Sequence, residues 1–327
     1  MTDPSPNIPW YKAFTGSTPQ GRVLHLPHSI TPPTNTHQLG DGREESLPTH
    51  VRNLSPTTPS SVATAIDSFA FSNQYLMTIG PRKATLLTSL ITSRKPKIMV
   101  ELGGYIGYSA VVLGAAVKAA GGEKYISIES NEVFASIARE MVSMAGLDGF
   151  VEVQVGRSDL LLRKLAASAS FASGEGLDFL FIDHYKPAYL HDLMLAEEIG
   201  LVREGTWVVA DNVGHPGAPE YKAYVLCSVE EKKREAQRGQ RQANPNARNW
   251  YLREGERGVE AEEESVVGRP ELEYDTECLE AFEPDGYHHI DEVSWLRFQK
   301  MRQCLDILYK ELIGICAGDE TMTLIGD

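Results

Sequence analysis

The chain has 327 residues, 42% of them hydrophobic, which is enough to bury a sizeable core in one large domain or two small ones. Its formal charge of −14 argues against a nucleic-acid binder, whose phosphate contacts need a basic face. No apolar run approaches the roughly 20 residues that span a bilayer, and the N-terminus lacks a basic-then-apolar secretory pattern, so the expectation is a cytoplasmic protein.

Residues 1–56 carry nine prolines and few periodic apolar residues. This reads as a loosely ordered arm, with Trp10, Tyr11 and Phe14 as points where it could dock on the body. A first helix is expected from a cap near Thr58 through Val62, Ile66 and Phe69. A second follows Gly80-Pro81, with Leu86, Leu87 and Leu90 on one face.

A sustained alternation comes next. Strand candidates are 98–102, 125–129, 150–155, 177–183 and 206–211, and helical stretches at 108–120, 131–145, 160–169 and 188–199 lie between them. Short apolar strands alternating with helices predict a parallel sheet covered on both faces, with the strand C-termini along one rim. Glu101, Glu129, Asp183 and Asp211 are placed at four of those strand ends. Each acid alone could merely cap the next loop or helix. Four on one rim point to a binding site.

Beyond the alternation, residues 229–264 hold nine Glu and eight Lys or Arg with almost no aliphatic residue, which reads as a solvated insertion, partly helical or disordered. Two closing strands are expected at 272–282 and 287–295, joined through Pro284-Asp285-Gly286. A final amphipathic helix is expected from Trp295 to Leu312, suited to core packing or an oligomer contact. Cys227, Cys278, Cys304 and Cys316 show no C-x-x-C pairing and read as reduced thiols.

Three groups of residues could carry chemistry. In Glu101-Leu102-Gly103-Gly104-Tyr105-Ile106-Gly107, a strand runs through glycines into a helix start, which leaves bare backbone N–H groups beside any ligand. The G-G-x-x-G spacing is not that of a dinucleotide site, and the glycines could equally serve only a tight turn. Asp183 with Asp211-Asn212 offers two carboxylates and an amide oxygen, hard donors that suit Mg and fit Zn or Cu poorly. Asp211 and Asn212 can converge on one ion only if the strand has already ended. Lys186 could reach over the same ion, and a neighbouring divalent charge would lower its proton affinity from the reference of about 10.4 toward that of a useful base. It could also be an exposed loop lysine. Glu129 stands where parallel-sheet nucleotide binders place the acid for ribose hydroxyls, and Ser158 and Asp159 could line the same pocket or cap the next helix.

Taken together, Glu101 to Ser109, Ile128-Glu129, Phe181-Ile182-Asp183-His184-Tyr185-Lys186 and Ala210-Asp211-Asn212-Val213-x-x-Pro216-Gly217 resemble the catechol O-methyltransferase family, metal-dependent class I S-adenosylmethionine methyltransferases. The resemblance runs from about Ser60 to Val225, with a weaker tail from Leu272 to Val293. Any single motif is widespread among class I methyltransferases. The Asp-His-aromatic-Lys segment and the Asp-Asn pair in one chain are specific.

The resemblance implies a Rossmann-like α/β fold: a doubly wound, mostly parallel seven-stranded sheet with helices on both faces. The catalytic domain would span 57–295, between the arm and a C-terminal helix and tail at 296–327. Gly103, Tyr105 and Ser109 would hold the methionine end of S-adenosylmethionine, with Glu101 beside them. Met77, Ile79 and Gly80 match the segment beside the sulfonium. Glu129 would take the ribose hydroxyls, and Ser158, Asp159 and His184 would surround the adenine. Asp183, Asp211 and Asn212 would ligate Mg, and Lys186 would be the general base. Tyr75, Tyr185 and Pro216 would wall an aromatic ring. Glu280 most resembles the glutamate that binds the second hydroxyl, with Glu277 as the competing alignment. Both wall tryptophans of the family would be tyrosine here, and the insertion separates Glu280 from the rest of the site.

The implied reaction is methyl transfer to a vicinal aromatic diol, with no nucleic-acid or membrane partner. A nicotinamide-dependent oxidoreductase and a cofactor-binding module without turnover are the rival readings.

Overall fold

The computed structural model of the chain describes residues 39–72, 75–169, 171, 174, 176–237, 266–282 and 290–297. The chain begins with α1 (Arg43–Asn53), α2 (Pro59–Ser72) and α3 (Gly80–Arg94), and then enters the alternation. This runs β1 (Ile98–Leu102), α4 (Tyr108–Ala119), β2 (Lys124–Glu129), α5 (Glu132–Met144), β3 (Val151–Val155), α6 (Ser158–Ala166), β4 (Phe179–Ile182), α7 (Tyr189–Glu198), β5 (Trp207–Ala210) and α8 (Pro219–Leu226). It closes with α9 (Val229–Gln237), β6 (Asp275–Phe282) and β7 (Ile290–Arg297).

The sheet order is β3-β2-β1-β4-β5-β7-β6. The parallel part has five strands rather than seven; β7 joins β5 antiparallel and β6 pairs with β7 antiparallel. Strand direction and burial follow from the residues. Met99, Phe179, Phe181 and Val209 enter the core under α1 to α5, while Val100, Leu102, Leu180, Ile182, Val208 and Ala210 enter the core under α6 to α8. Alternate residues of the central strands thus meet opposite layers, so both faces are covered and β4 and β5 are apolar at every position. The order reverses between β1 and β4, and the crevice at that switch point is where such sheets bind ligands.

Three expectations need correction. The arm does not run unstructured to residue 56, because Arg43–Asn53 is a helix. Pro48 inside it removes one backbone hydrogen bond and costs about 3 kcal/mol. Leu47 and Val51, four apart and fully buried, contribute roughly 1.5–3 kcal/mol each and offset that loss. The insertion begins as a helix with most of α9 facing solvent, in line with the partly helical, solvated reading, but one residue departs from it. Lys232 of α9 is fully buried, its Nζ donating to the Leu272 carbonyl at 3.0 Å and lying over the rings of Tyr224 and Tyr274 at 4.0 and 4.4 Å. Finally, Trp295 and Leu296 pair with β5 as part of β7 and do not begin a helix. The rest of that helix, the 238–264 part of the insertion, the arm aromatics and the Pro284-Asp285-Gly286 turn lie outside the described residues. Among the described residues no helix is long and apolar enough to cross a membrane.

Candidate active site

The glycine loop leaves β1 at the switch point. Glu101 sits inside β1, one residue short of its end, so it faces the interior and is fully buried. Ser127 Oγ donates to its Oε2 at 2.6 Å, and its Oε1 has no hydrogen-bond partner among the described residues. Burial raises its pKa to about 7 against hydrogen bonds from Ser109 and Ser127. The loop then turns on Gly103, at φ +97°, where a Cβ would stand 2.2 Å from the Asp183 carbonyl oxygen. A side chain is therefore excluded by sterics as well as by backbone conformation. Gly107, at φ +88°, starts α4, whose first turn carries the buried Ser109.

Glu129 ends β2 on the adjacent strand. Its Oε2 accepts from the Tyr105 backbone N–H and its Oε1 from that of Asn131, both at 2.8 Å. Burial pushes its pKa up against those bonds. Tyr105 in turn donates its hydroxyl to Glu44 Oε1 at 2.8 Å and meets the Phe134 ring edge-on. Met77, Ile79 and Gly80 lead into α3 beside this loop; Met77 is 40% exposed, Ile79 is buried, and Gly80 takes φ +65°. The Tyr75 carbonyl accepts from Arg43 Nη1 at 2.7 Å, so α1 anchors both this segment and Tyr105.

A second group gathers at the ends of β3 and β4. Asp192, fully buried on α7, accepts from Ser158 Oγ and from His184 Nε2 at 2.8 Å through Oδ2, and pairs with His191 Nδ1 at 2.8 Å through Oδ1. Burial alone would raise its pKa, but the hydrogen bonds from His184 and His191 override it and hold the carboxyl well below its usual range. His184 stacks on Tyr189 with centroids 5.2 Å apart, and its buried Nδ1 has no partner among the described residues. Asp159 pairs with Arg157 at 2.6 Å and is not part of the Asp192 cluster.

The third group forms because β4 and β5 end in register. Ile182 faces Ala210, the Asp183 N–H donates to Leu102 and the Asp211 N–H donates to Ile182. Asp183 and Asp211 thus follow their strands side by side. Asn212 takes a left-handed φ of 53° and opens a π-helical turn over Val213–Gly217, so strand alternation no longer separates it from Asp211.

Lys186 Nζ collects the group: 3.4 Å to Asp183 Oδ1, 3.2 Å to Asn212 Oδ1, 3.2 Å to the Asp211 carbonyl and 2.5 Å to Tyr189 Oη. The carboxylate of Asp211 turns instead to Lys83, whose Nζ lies 2.9 Å from Oδ1 and 3.0 Å from Oδ2. Burial and the neighbouring Asp211 charge push the Asp183 pKa well up, while Lys186 and Lys83 oppose that rise. Asp183 and Lys186 keep 20% and 18% of their side chains exposed, which leaves them open to a reactant.

Tyr75 and Tyr185 are half-buried; Tyr185 directly precedes Lys186 in the chain, and the carbonyl of Tyr75 is held by Arg43. Pro216 lies in the π turn, and Glu280 lies in β6 opposite Glu292; the side chains of both are outside the described residues. Glu277, the competing position, is half-buried opposite Trp295. Sequence reading missed Glu44, Lys83, Tyr189 and Asp192. Only Tyr189, three residues after Lys186, had a positional signal.

A model of the O-methyltransferase family matches residues 64–240. Among curated proteins, the chain is 36% identical over 197 residues to the catechol O-methyltransferase of Bos taurus, covering 60% of this chain and 71% of the bovine one. It is 39% identical over 195 residues to a probable O-methyltransferase of Mycobacterium tuberculosis, covering 59% and 82% of the two chains. Among solved structures, it is similar to an O-methyltransferase from Bacillus cereus, at TM-score 0.49 and 19% identity over 78% of this chain and 100% of that one.

Proposed function

This chain belongs to the O-methyltransferase family, and from that premise we propose that it transfers a methyl group from S-adenosylmethionine to one oxygen of a catechol or similar vicinal aromatic diol, assisted by Mg and with Lys186 as general base. One observation carries the reading. Lys186 Nζ lies 3.2–3.4 Å from the Asp183 carboxylate, the Asn212 amide oxygen and the main-chain carbonyl of Asp211, whose carboxylate lies next to them on Lys83. Two carboxylates and an amide oxygen at neighbouring strand ends are hard donors of the kind that suits Mg, which supports the reading.

The residues present fit both groups. For S-adenosylmethionine, Gly103, Tyr105, Ser109 and the 77–80 segment would hold the methionine end. Glu129 is fixed as an acceptor suited to ribose hydroxyls. Ser158, Asp159 and His184 would lie around the adenine. Two buried polar atoms without partners among the described residues, Glu101 Oε1 and His184 Nδ1, are consistent with a polar ligand in that crevice. Asp183, Asp211 and Asn212 would hold Mg. When bound, the sulfonium supplies an electrophilic methyl group, and the ion fixes two substrate oxygens and lowers their proton affinity.

Lys186 takes the proton from the reacting hydroxyl, and Tyr189 Oη keeps the lysine over the site. A bound S-adenosylmethionine would supply the methyl group to that oxygen and leave as the neutral thioether. Tyr75 and Tyr185 would wall the ring, and the roles the resemblance implies for Pro216 and for Glu280 or Glu277 rest on that resemblance alone. Holding the reactants in this geometry can supply roughly 7–11 kcal/mol of the barrier.

The test is a labelled-methyl assay over a panel of vicinal diphenols and matched monophenols, with and without Mg. The diphenols should turn over only with the metal, and Asp183→Ala should abolish turnover while leaving cofactor binding largely intact. Wild-type rates for Asp183→Ala in EDTA would refute the metal role. Absence of methyl transfer to any phenol would favour a binding module.

A further inference from the structure

Lys83 is an unusual residue in this site. It lies in the first turn of α3, yet its side chain is only 1% exposed, and it places Nζ 2.9 and 3.0 Å from the two carboxylate oxygens of Asp211. Lys186 meets Asp183 at 3.4 Å. The two aspartates and two lysines therefore carry two negative and two positive formal charges, with the buried Glu101 adding a weaker repulsion at Asp183. An ordinary buried ion pair would need no further explanation. Here, however, the carboxylate that Lys83 occupies is one of the three groups assigned to the metal. A divalent ion reaching Asp211 meets a resident ammonium on the same group.

We propose that Lys83 is the built-in counter-cation of the metal centre: it neutralises Asp211, so the empty donor set is close to electroneutral and holds a divalent cation weakly until two anionic diol oxygens join it. The proposal rests on the metal reading given above and extends it to a dependence between ligands. The ion and the ionised diol strengthen each other, by the same factor in either direction. Lys83 would act on the metal through Asp211, which makes it a positioning residue.

The experiment is calorimetric titration of the full chain with MgCl₂ at neutral pH, alone and in the presence of nitrocatechol, a diol already ionised under those conditions. Wild type should bind Mg weakly alone and roughly tenfold or more tightly with nitrocatechol. Lys83→Met should bind Mg alone about tenfold more tightly than wild type, with a smaller gain from nitrocatechol. Lys83→Arg, which keeps the charge, should behave as wild type. A folded Lys83→Met, judged by near-ultraviolet circular dichroism, that binds Mg no more tightly than wild type would overturn the proposal and leave the metal reading standing. Should Lys83→Met not fold, Lys83→Gln keeps an amide for Asp211 and carries the same comparison. If wild type takes up Mg neither alone nor with nitrocatechol, the metal reading falls and this proposal falls with it.

Discussion

Gly103→Ala tests whether the glycine loop and Asp183 form one mechanical unit. At φ +97°, an alanine incurs about 1–2 kcal/mol of backbone strain. Its methyl group would also stand 2.2 Å from the Asp183 carbonyl oxygen and 2.6 Å from the carbonyl carbon. Backbone is the obstacle, so relief requires the end of β4 to retreat by about 1 Å, and overpacking of this kind costs about 1–3 kcal/mol more. The expected loss is about 2–5 kcal/mol in urea unfolding. Gly121→Ala is the internal control: φ is +86° and nothing lies within 4 Å of its Cβ, so it should lose only the strain, about 1–2 kcal/mol. Displacing Asp183 by about 1 Å should also slow methyl transfer about 100-fold, and the control should not. Equal unfolding free energies for the two variants, or an unimpaired rate for Gly103→Ala, would refute the coupling.

Asp192→Ala strips a buried carboxylate from Ser158, His184 and His191, and should cost about 3–5 kcal/mol in chemical denaturation. Because the folded-state pKa of Asp192 is depressed, its contribution is complete above the unfolded value of about 3.9 and is lost as pH falls through the folded one. Wild type should therefore shed stability below about pH 4 more steeply than the variant does. Glu101 has the opposite sign: its pKa, raised to about 7 by burial, means the folded state holds a proton the unfolded state has lost, so stability falls as pH climbs from 4.5 to 7. Glu101→Gln should remove up to about 3 kcal/mol of that slope, and a curve parallel to wild type would contradict the assignment. Lys186→Met should lower kcat by roughly 100- to 10,000-fold with little change in KM; a KM effect larger than the kcat effect would make it a binding residue.

The parallel alternation was legible because its strands are short and the central ones, β1, β4 and β5, are largely apolar and buried, so periodicity and burial carry the same message there. Boundaries moved by a residue or two where an acid follows a strand. Asp183 and Asp211 continue the ladder with one backbone N–H each but lie outside the strands. Helix α1 was hidden by prolines, whose count over 1–56 is high, although only Pro48 falls inside the helix. Its apolar contribution, Leu47 and Val51, is too small to register as a periodic face. The two closing strands and their short link could be read from the sequence, but the placement of β7 rather than β6 beside β5 depends on pairing across a long connection, and no local pattern encodes that.

For the site, the acids at strand ends stood out and their buried partners did not. An aspartate followed by asparagine is by itself often only a turn, and it gained weight here from Asp183 at the neighbouring strand end. Lysine gives no such signal. Lys83 follows Arg82 on an amphipathic helix and has the same local sequence as a solvated lysine; what buries it is Asp211, 128 residues further along the chain. Asp192 in a leucine-rich helix is equally silent until His184 and Ser158 arrive from two other elements. The pattern has a physical reason. A charge can be buried only against a compensating one, and in a doubly wound sheet the compensating group comes from a different crossover unit. Local sequence can therefore point to the acids that follow strand ends, while buried partners such as Lys83 and Asp192 become identifiable only once the elements that hold them are packed together.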